Sequence, residues 1–381
     1  MNNFPENLKL KLETRKLNQA FRELPINNNL VDFSSNDYLG FSKSELIFNE
    51  THQYLIDNNF ISNGATGSRL ISGNHDLYQI TERFIADFHQ SETALIFNSG
   101  YDANIGFFSS VPQRSDLILY DELCHASIRD GISISNAKSY KFNHNDFDDL
   151  EQIIIKQKVQ FTNIYVVTES VFSMDGDCPN LEELVSVCEK HNCFLVIDEA
   201  HSIGVFGEFG QGLVQENQLQ NKVFARIVTF GKGLGCHGAA ILGNQNLKDY
   251  LVNFARSFIY TTGLSPHSVA TILIAYNHLS KDKTEVEKLR SNIIYFNQQK
   301  NLLGLKPLFV RSKSAIQSAI FPGNEKVKLV ANKIQEIGFK VKAILSPTVP
   351  EGQERLRICL HSYDDKNNID AVLNILLKSV Y

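Results

Sequence analysis

Asp198, His201 and Lys232 are the residues of this chain with the most chemistry to offer. FLVIDEAH reads as an apolar strand ending on Asp198, with His201 just beyond it. Further along, RIVTFGKGLG reads as another apolar strand followed by Lys232, set between glycines. The glycines let the backbone approach a bulky ligand closely. A lysine that bonds a carbonyl must be deprotonated part of the time, which poor solvation and nearby positive charge arrange. A carboxylate against a pyridine nitrogen keeps it protonated and turns the ring into an electron sink. Taken singly, the three are a solvated loop lysine, a helix-capping carboxylate and a structural histidine. Together, at successive strand ends, they are what holds and activates pyridoxal phosphate (PLP).

Other segments add to this set. FNSGYDAN follows the strand TALIF and opens a helix, so the N–H groups of Ser99, Gly100 and Tyr101 offer a phosphate site at its start. His125, in LCHAS after DLILYDE, is an imidazole that can stack on a ring. In ERLRICL the alternation places Arg355 and Arg357 on one strand face, and a guanidinium there can grip a carboxylate with two parallel hydrogen bonds. LVIDEAH also matches the DEAH box of a nucleic-acid-dependent ATPase. That reading requires an upstream G-x-x-x-x-G-K-[ST] loop, and the chain's Gly231-Lys232 pair is downstream and followed by glycine. GATGSRLISGN does not sit between a strand and a helix as a nucleotide loop does.

The elements that must position these groups follow from periodicity. TALIF, DLILY, NIYVVTES, FLVIDEA, RIVTF and GAAILG are near-continuous apolar runs, separated by helical stretches such as DDLEQIIIKQ and NLEELVSVCEKH. The pattern predicts an α/β fold with a mostly parallel sheet covered on both faces, its functional groups at the carboxyl ends of the strands. Glu169, Asp198 and Lys232 all fall there. Leu8, Leu12, Leu17 and Phe21 predict a helix from about Pro5 to Glu23, broken at PINNN. Expected boundaries are an N-terminal helix and arm over 1–45, a large PLP-binding domain over 46–275 and a smaller α/β domain over 276–381. A net charge of −5 gives no general attraction to nucleic acid or anionic membranes. The polar N-terminal residues and the lack of an apolar run of about 18 predict a cytoplasmic protein with no membrane span. Six cysteines without a C-x-x-C pair read as reduced thiols, and no metal site is expected.

FSSNDYLG, SGYDANI, CHAS, TESVFSMDGD, DEAH, TFGKGLG and SPTVPEGQERLR occur in the order and approximate spacing of the α-oxoamine synthases, which this chain resembles over almost its whole length. These are PLP-dependent enzymes of the aspartate aminotransferase fold (fold type I). The resemblance implies that Lys232 is the Schiff-base lysine, Asp198 the pyridinium partner and His125 the imidazole on the ring. It places Ser173 and His201 around the ring's phenolic oxygen, and Gly100, Tyr101 and Thr229 at the phosphate. Thr261 and Thr262 match a segment that reaches the neighbouring subunit's phosphate, implying a homodimer with shared active sites. Arg357 matches the anchor of the amino-acid carboxylate, and Arg22, Asn36 and Thr348 match substrate contacts. The implied reaction is a decarboxylative condensation of L-alanine with a pimeloyl thioester carried on coenzyme A or an acyl carrier protein. Sister reactions, glycine with an acetyl donor or serine with a long acyl donor, are the alternatives. Relative to the family, the segment after Arg22 is shorter, and Tyr78 stands where histidine is frequent.

Overall fold

The computed structural model describes residues 4–24 and 29–380. Its strands, numbered along the chain, are β1 (Val31–Asp32), β2 (Thr93–Phe97), β3 (Leu117–Asp121), β4 (Lys138–Phe142), β5 (Ile164–Glu169), β6 (Phe194–Asp198), β7 (Ala225–Thr229), β8 (Ala239–Gly243), β9 (Ile316–Ile320), β10 (Phe339–Lys340), β11 (Lys342–Ile344) and β12 (Arg355–Cys359). The chain divides into two compact units. The larger takes Asn36–Ser173 and Asp177–Arg290; the smaller takes the chain up to Ser35, Met174–Gly176 and the chain from Ser291 on. The helix Pro266–Lys281 therefore runs through residue 275 within the larger unit.

The larger unit is built on a seven-stranded sheet in the order β2-β8-β7-β6-β5-β3-β4. β8 runs antiparallel to both of its neighbours, and the other pairings are parallel. β2, β5 and β7 are buried at every position, as strands covered on both faces must be. Side chains from Leu95 on β2, Ile118 on β3, Val167 on β5, Val196 on β6 and Ile227 on β7 join Phe107 and Phe108 of the helix Gly100–Ser110 in one apolar cluster. Parallel strands all end on the same edge, so Asp121, Glu169 and Asp198 close three neighbouring strands, with Glu169 paired in register with Asp198. β4 was not predicted: KSYKF lies at the sheet's edge with only Phe142 buried, so it lacks the apolar run that marks its neighbours.

In the smaller unit β12 is the middle strand of an antiparallel sheet in the order β11-β12-β9, while β1 pairs with β10. All five residues of β12 are buried, including both arginines. Arg355 pairs with Asp175, and Ser312 and Ser314 donate to the carbonyl of Gly176 at 2.8 Å, so Met174–Gly176 is tied into this unit. The N-terminal helix spans Glu6–Leu17 and ends on Asn18, short of the expected Glu23, because Gln19 takes a left-handed φ of 53°. The expected break over Pro25–Asn28 lies outside the described residues.

His144 secures the carboxyl edge of the large sheet. Its Nδ1 lies 3.0 Å from Asp121 and its Nε2 2.8 Å from Asp177, and the ring edge packs on Phe172. Burial alone would lower the imidazole's pKa, but hydrogen bonds and charge from the two aspartates raise it to about 10. A folded-state value above the unfolded one stabilises fully below about pH 6.5 and fades as pH rises to the folded value. His144→Gln is expected to cost about 3 kcal/mol at pH 6. In denaturant melts across pH, the gap between wild type and variant should shrink steadily toward pH 10; a gap that widened would rule out the imidazolium clamp.

Candidate active site

Lys232 stands in the connection between β7 and β8, which is a short hydrogen-bonded loop and no flexible strap. Phe230 N–H donates to Gly238 at 2.9 Å, Cys236 N–H to Phe230 at 2.8 Å and Gly235 N–H to Lys232 at 2.9 Å. Gly235 takes a φ of 61° and backs onto the Phe41–Ser42 backbone, where a side chain has no room. The loop fixes the lysine backbone while the four-carbon stem stays adjustable. Lys232 Nζ lies 2.8 Å from His201 Nε2, and His201 Nδ1 lies 2.7 Å from the buried Tyr38 hydroxyl. That hydroxyl is 3.2 Å from Asn36 Oδ1. A Tyr38 that donates to Asn36 accepts from His201 Nδ1–H, which leaves Nε2 to accept from the lysine amine. Tyr38 was not among the predicted residues; NDYLG carries no local mark that its hydroxyl is functional.

Asp198 is buried at the end of β6 and accepts two hydrogen bonds at 2.9 Å, from Ala200 N–H and from Asn104 Nδ2. Asn104 belongs to the helix Gly100–Ser110, which Ser99 caps by accepting from Asp102 N–H at 3.0 Å. His125 caps the next helix, Ala126–Ile134, with Nδ1 2.8 Å from Ser127 Oγ. Burial lowers the pKa of His125, with Lys232 acting in the same sense and Asp198 opposing, so the ring is a neutral imidazole. Its backbone N–H donates to Glu169 at the end of β5. Burial, and then the charge of Asp198, raise the Glu169 carboxyl to about 8.

These groups line one cavity of about 300 Å³, large enough for a small-molecule ligand. Of the predicted residues, Asn36, Gly100, Tyr101, His125, Asp198, His201, Thr229 and Lys232 are on its wall, joined by Asn104, Ser127, Glu169 and His237. Ser173 follows β5 in the same unit but is not a lining residue. Thr261 and Thr262 are also off this wall; Asn98 Nδ2 holds them, at 2.9 Å to Thr261 Oγ1 and 2.7 Å to the Thr262 carbonyl. Arg22, Thr348 and Arg357 belong to the smaller unit, where Arg22 Nη2 is 3.5 Å from Thr348 Oγ1 and Arg357 is buried on β12. Tyr78 takes a structural role, with Arg69 3.7 Å above its ring and Leu264 N–H donating to its hydroxyl at 2.6 Å. Glu199, the second residue of DEAH, turns away into an ion pair with Arg226 at 2.6 Å. A DEAH ATPase would need that carboxylate at its metal and nucleotide, so the ATPase reading is overturned here.

The lining fits PLP on three counts. An anionic acid, an imidazole and a lysine amine converge as the ring chemistry requires. The start of the Gly100 helix lies so close to Thr229 that a Cβ on Gly100 would come within 2.6 Å of the threonine methyl, leaving first-turn N–H groups open for a phosphate. Asn104 Oδ1 is buried without a partner among the described residues, an acceptor that a bound ring can satisfy. Asn104→Ala would strip one donor from the Asp198 carboxylate, and PLP affinity, read by absorbance titration, is expected to fall about tenfold. Unchanged affinity would remove Asn104 from the cofactor's support.

A family profile described as aminotransferase class I and II matches residues 28–376. A curated relative from Emericella nidulans, 8-amino-7-oxononanoate synthase, is 40% identical over 91% of this chain and 88% of its own. One from Methanococcus vannielii, described as a putative 8-amino-7-oxononanoate synthase, is 36% identical over 96% of both chains. Among solved structures, 8-amino-7-oxononanoate synthase from Francisella tularensis superposes with a TM-score of 0.78 at 29% identity, over 93% of this chain and 98% of that one. Serine palmitoyltransferase from Sphingomonas wittichii gives 0.85 at 27%, over 92% and 87%. An SPT structure solved with PLP gives 0.85 at 26%, over the same shares. The cavity and these likenesses agree: the chain belongs to the class I and II aminotransferase family of PLP-dependent fold type I enzymes and, within it, to the α-oxoamine synthases.

Proposed function

We propose that this enzyme condenses L-alanine with a pimeloyl thioester to give 8-amino-7-oxononanoate, CO2 and free thiol, a step of biotin biosynthesis. The observation that carries it is the convergence of Lys232, His201, Asp198 and His125 on one cavity, in a chain whose curated relatives share that name. PLP, when bound, supplies an electron sink for charge developing at the amino acid's Cα.

The chain's own residues do the rest. Lys232 Nζ would hold the cofactor covalently and, once released, would take the Cα proton and later return one. His201 Nε2, 2.8 Å away, holds that amine in place between the two tasks. Asp198, which accepts from Ala200 N–H and Asn104 Nδ2, would face the ring nitrogen and favour positive charge there. Gly100, Tyr101 and Thr229 take the phosphate at the helix start. His125, on the cavity wall, would lie against the ring and donate to the oxyanion forming on the thioester carbonyl. Ser173 would meet the phenolic oxygen, Arg357 would grip the alanine carboxylate, and Arg22, Asn36 and Thr348 would contact substrate. The enzyme works as a cytoplasmic homodimer, with Thr261 and Thr262 reaching the partner's phosphate. Exposed Leu8, Leu10, Leu12 and Leu17 on the N-terminal helix support association.

The deciding assay crosses alanine, glycine and serine with pimeloyl, acetyl and long-chain acyl thioesters on coenzyme A and acyl carrier protein, and identifies the products. Alanine with the pimeloyl donor is expected to dominate; preference for another pair would move the enzyme to a sister reaction. Lys232→Ala is expected to lower turnover at least a thousandfold and to abolish the borohydride-fixed cofactor adduct. Retention of both would refute the assignment. Arg357→Ala should raise the KM for alanine about 10- to 100-fold with a smaller change in kcat. An unaltered KM would put the carboxylate anchor elsewhere.

A further inference from the structure

Three carboxyls close three adjacent strands at the carboxyl edge of the large sheet, and they are not equally supplied with donors. Asp121 receives His144 and the N–H groups of Leu123 at 2.8 Å and Asn145 at 2.9 Å. Asp198 receives Ala200 N–H and Asn104 Nδ2. Glu169, as buried as Asp198 and beside it in register, receives only the N–H of His125 among the described residues. Two carboxylates on adjacent strand ends in an enclosed site do not both ionise readily, and the one with fewer donors keeps its proton.

We propose that Glu169 carries a proton in the resting enzyme and, through the N–H of His125, is the positioning residue that sets where the His125 ring lies. This deepens the reading of the cavity as the PLP site and rests on it for the role of His125. The groups facing Glu169 act consistently. Burial, Asp198 and Asp121 favour the neutral acid; Lys232 and the His125 N–H oppose it without prevailing. Cys124, one residue before His125, is fully buried, and burial pushes its thiol well above the usual range, so it stays neutral and adds no charge beside Glu169. A neutral Glu169 would leave Asp198 as the one anion of this adjacent pair for a bound ring's nitrogen. It also adds no negative charge beside the His125 ring, which burial keeps a neutral imidazole. One protonated glutamic acid then serves two ends: it adds no second anion beside Asp198, and its oxygen holds the backbone N–H that places His125.

The test has a part that needs no cofactor. Difference infrared spectra of the full-length chain against Glu169→Gln, without PLP, are expected to show a protonated-carboxyl carbonyl band that disappears with a midpoint at about pH 8. A carboxyl already ionised at pH 6 overturns the proposal. With PLP and substrates, Glu169→Leu, which keeps bulk but has no acceptor, should lose about 10- to 100-fold in kcat/KM. Glu169→Gln, which keeps a neutral oxygen for the His125 N–H, should recover most of that and lack the wild type's alkaline limb near pH 8. Equal losses in both variants, or a limb that persists in Glu169→Gln, overturn the positioning role. Should Glu169→Leu not fold, the pH profile of Glu169→Gln decides alone. If the PLP reading itself were wrong, the wild type would not turn over while the infrared midpoint would still report the proton, so the two failures separate.

Discussion

Asp198 is an anion enclosed at the end of a central strand, and an anion there is tolerable only where N–H groups point at it. One comes from the turn that follows β6, where Ala200 N–H reaches back to Oδ1; the other comes from Asn104 across the cavity. That turn also delivers His201 toward Lys232. Its remaining acid, Glu199, is sent the other way, onto Arg226 of β7, with Val214 N–H and Ser202 Oγ each 3.0 Å from its Oε1. The four residues Asp198–His201 are thus held from both sides, so the imidazole's position follows from the carboxylate's needs.

Parallel pairing makes this economical and also creates a difficulty. Asp198, Glu169, Thr229 and Lys232 arrive at one edge because every parallel strand ends there, as do the starts of the helices after β2 and β3. The same alignment sets Asp121, Glu169 and Asp198 side by side in a setting of low dielectric. His144 answers the first carboxylate with an imidazolium shared with Asp177, Asn104 and Ala200 answer the last, and the middle one is left with a single backbone N–H. Electrostatics at this edge is therefore a matter of which carboxyl receives donors, and the sheet's register decides it before any ligand enters.

Much of this was legible in the sequence, for physical reasons. Strands covered on both faces must be apolar throughout, so TALIF, DLILY and RIVTF announce themselves, and polar residues that interrupt such runs at their ends stand out as site candidates. Asp198, Lys232 and His125 were found that way. Asn104 was not, because an asparagine within a helix carries no periodic signal, and its meaning lies in contacts with Asp198 and Ser127 that are remote in sequence. Tyr38 is hidden likewise: its partner His201 comes from another part of the chain. KSYKF was missed because an edge strand needs no apolar run. On the N-terminal helix, helical spacing was right about the element, yet none of its residues is buried within this chain, so periodicity there reports an apolar face without saying what it meets.

Lys232 shows why the antiparallel strand of the large sheet matters. Had β7 been followed by a helical crossover like its parallel neighbours, the lysine would sit on a longer connection. β8 instead returns at once beside β7, and the loop between them is pinned by Phe230–Gly238 and Cys236–Phe230 hydrogen bonds. A residue that must hold a ring and then act on a proton beside it needs a fixed base and a mobile tip. The hairpin supplies the first, and the lysine stem, with His201 2.8 Å from its end, supplies the second. Orientation of the reacting amine is thereby set by backbone hydrogen bonds that the reaction never touches, which is where precision in such a site is most cheaply kept.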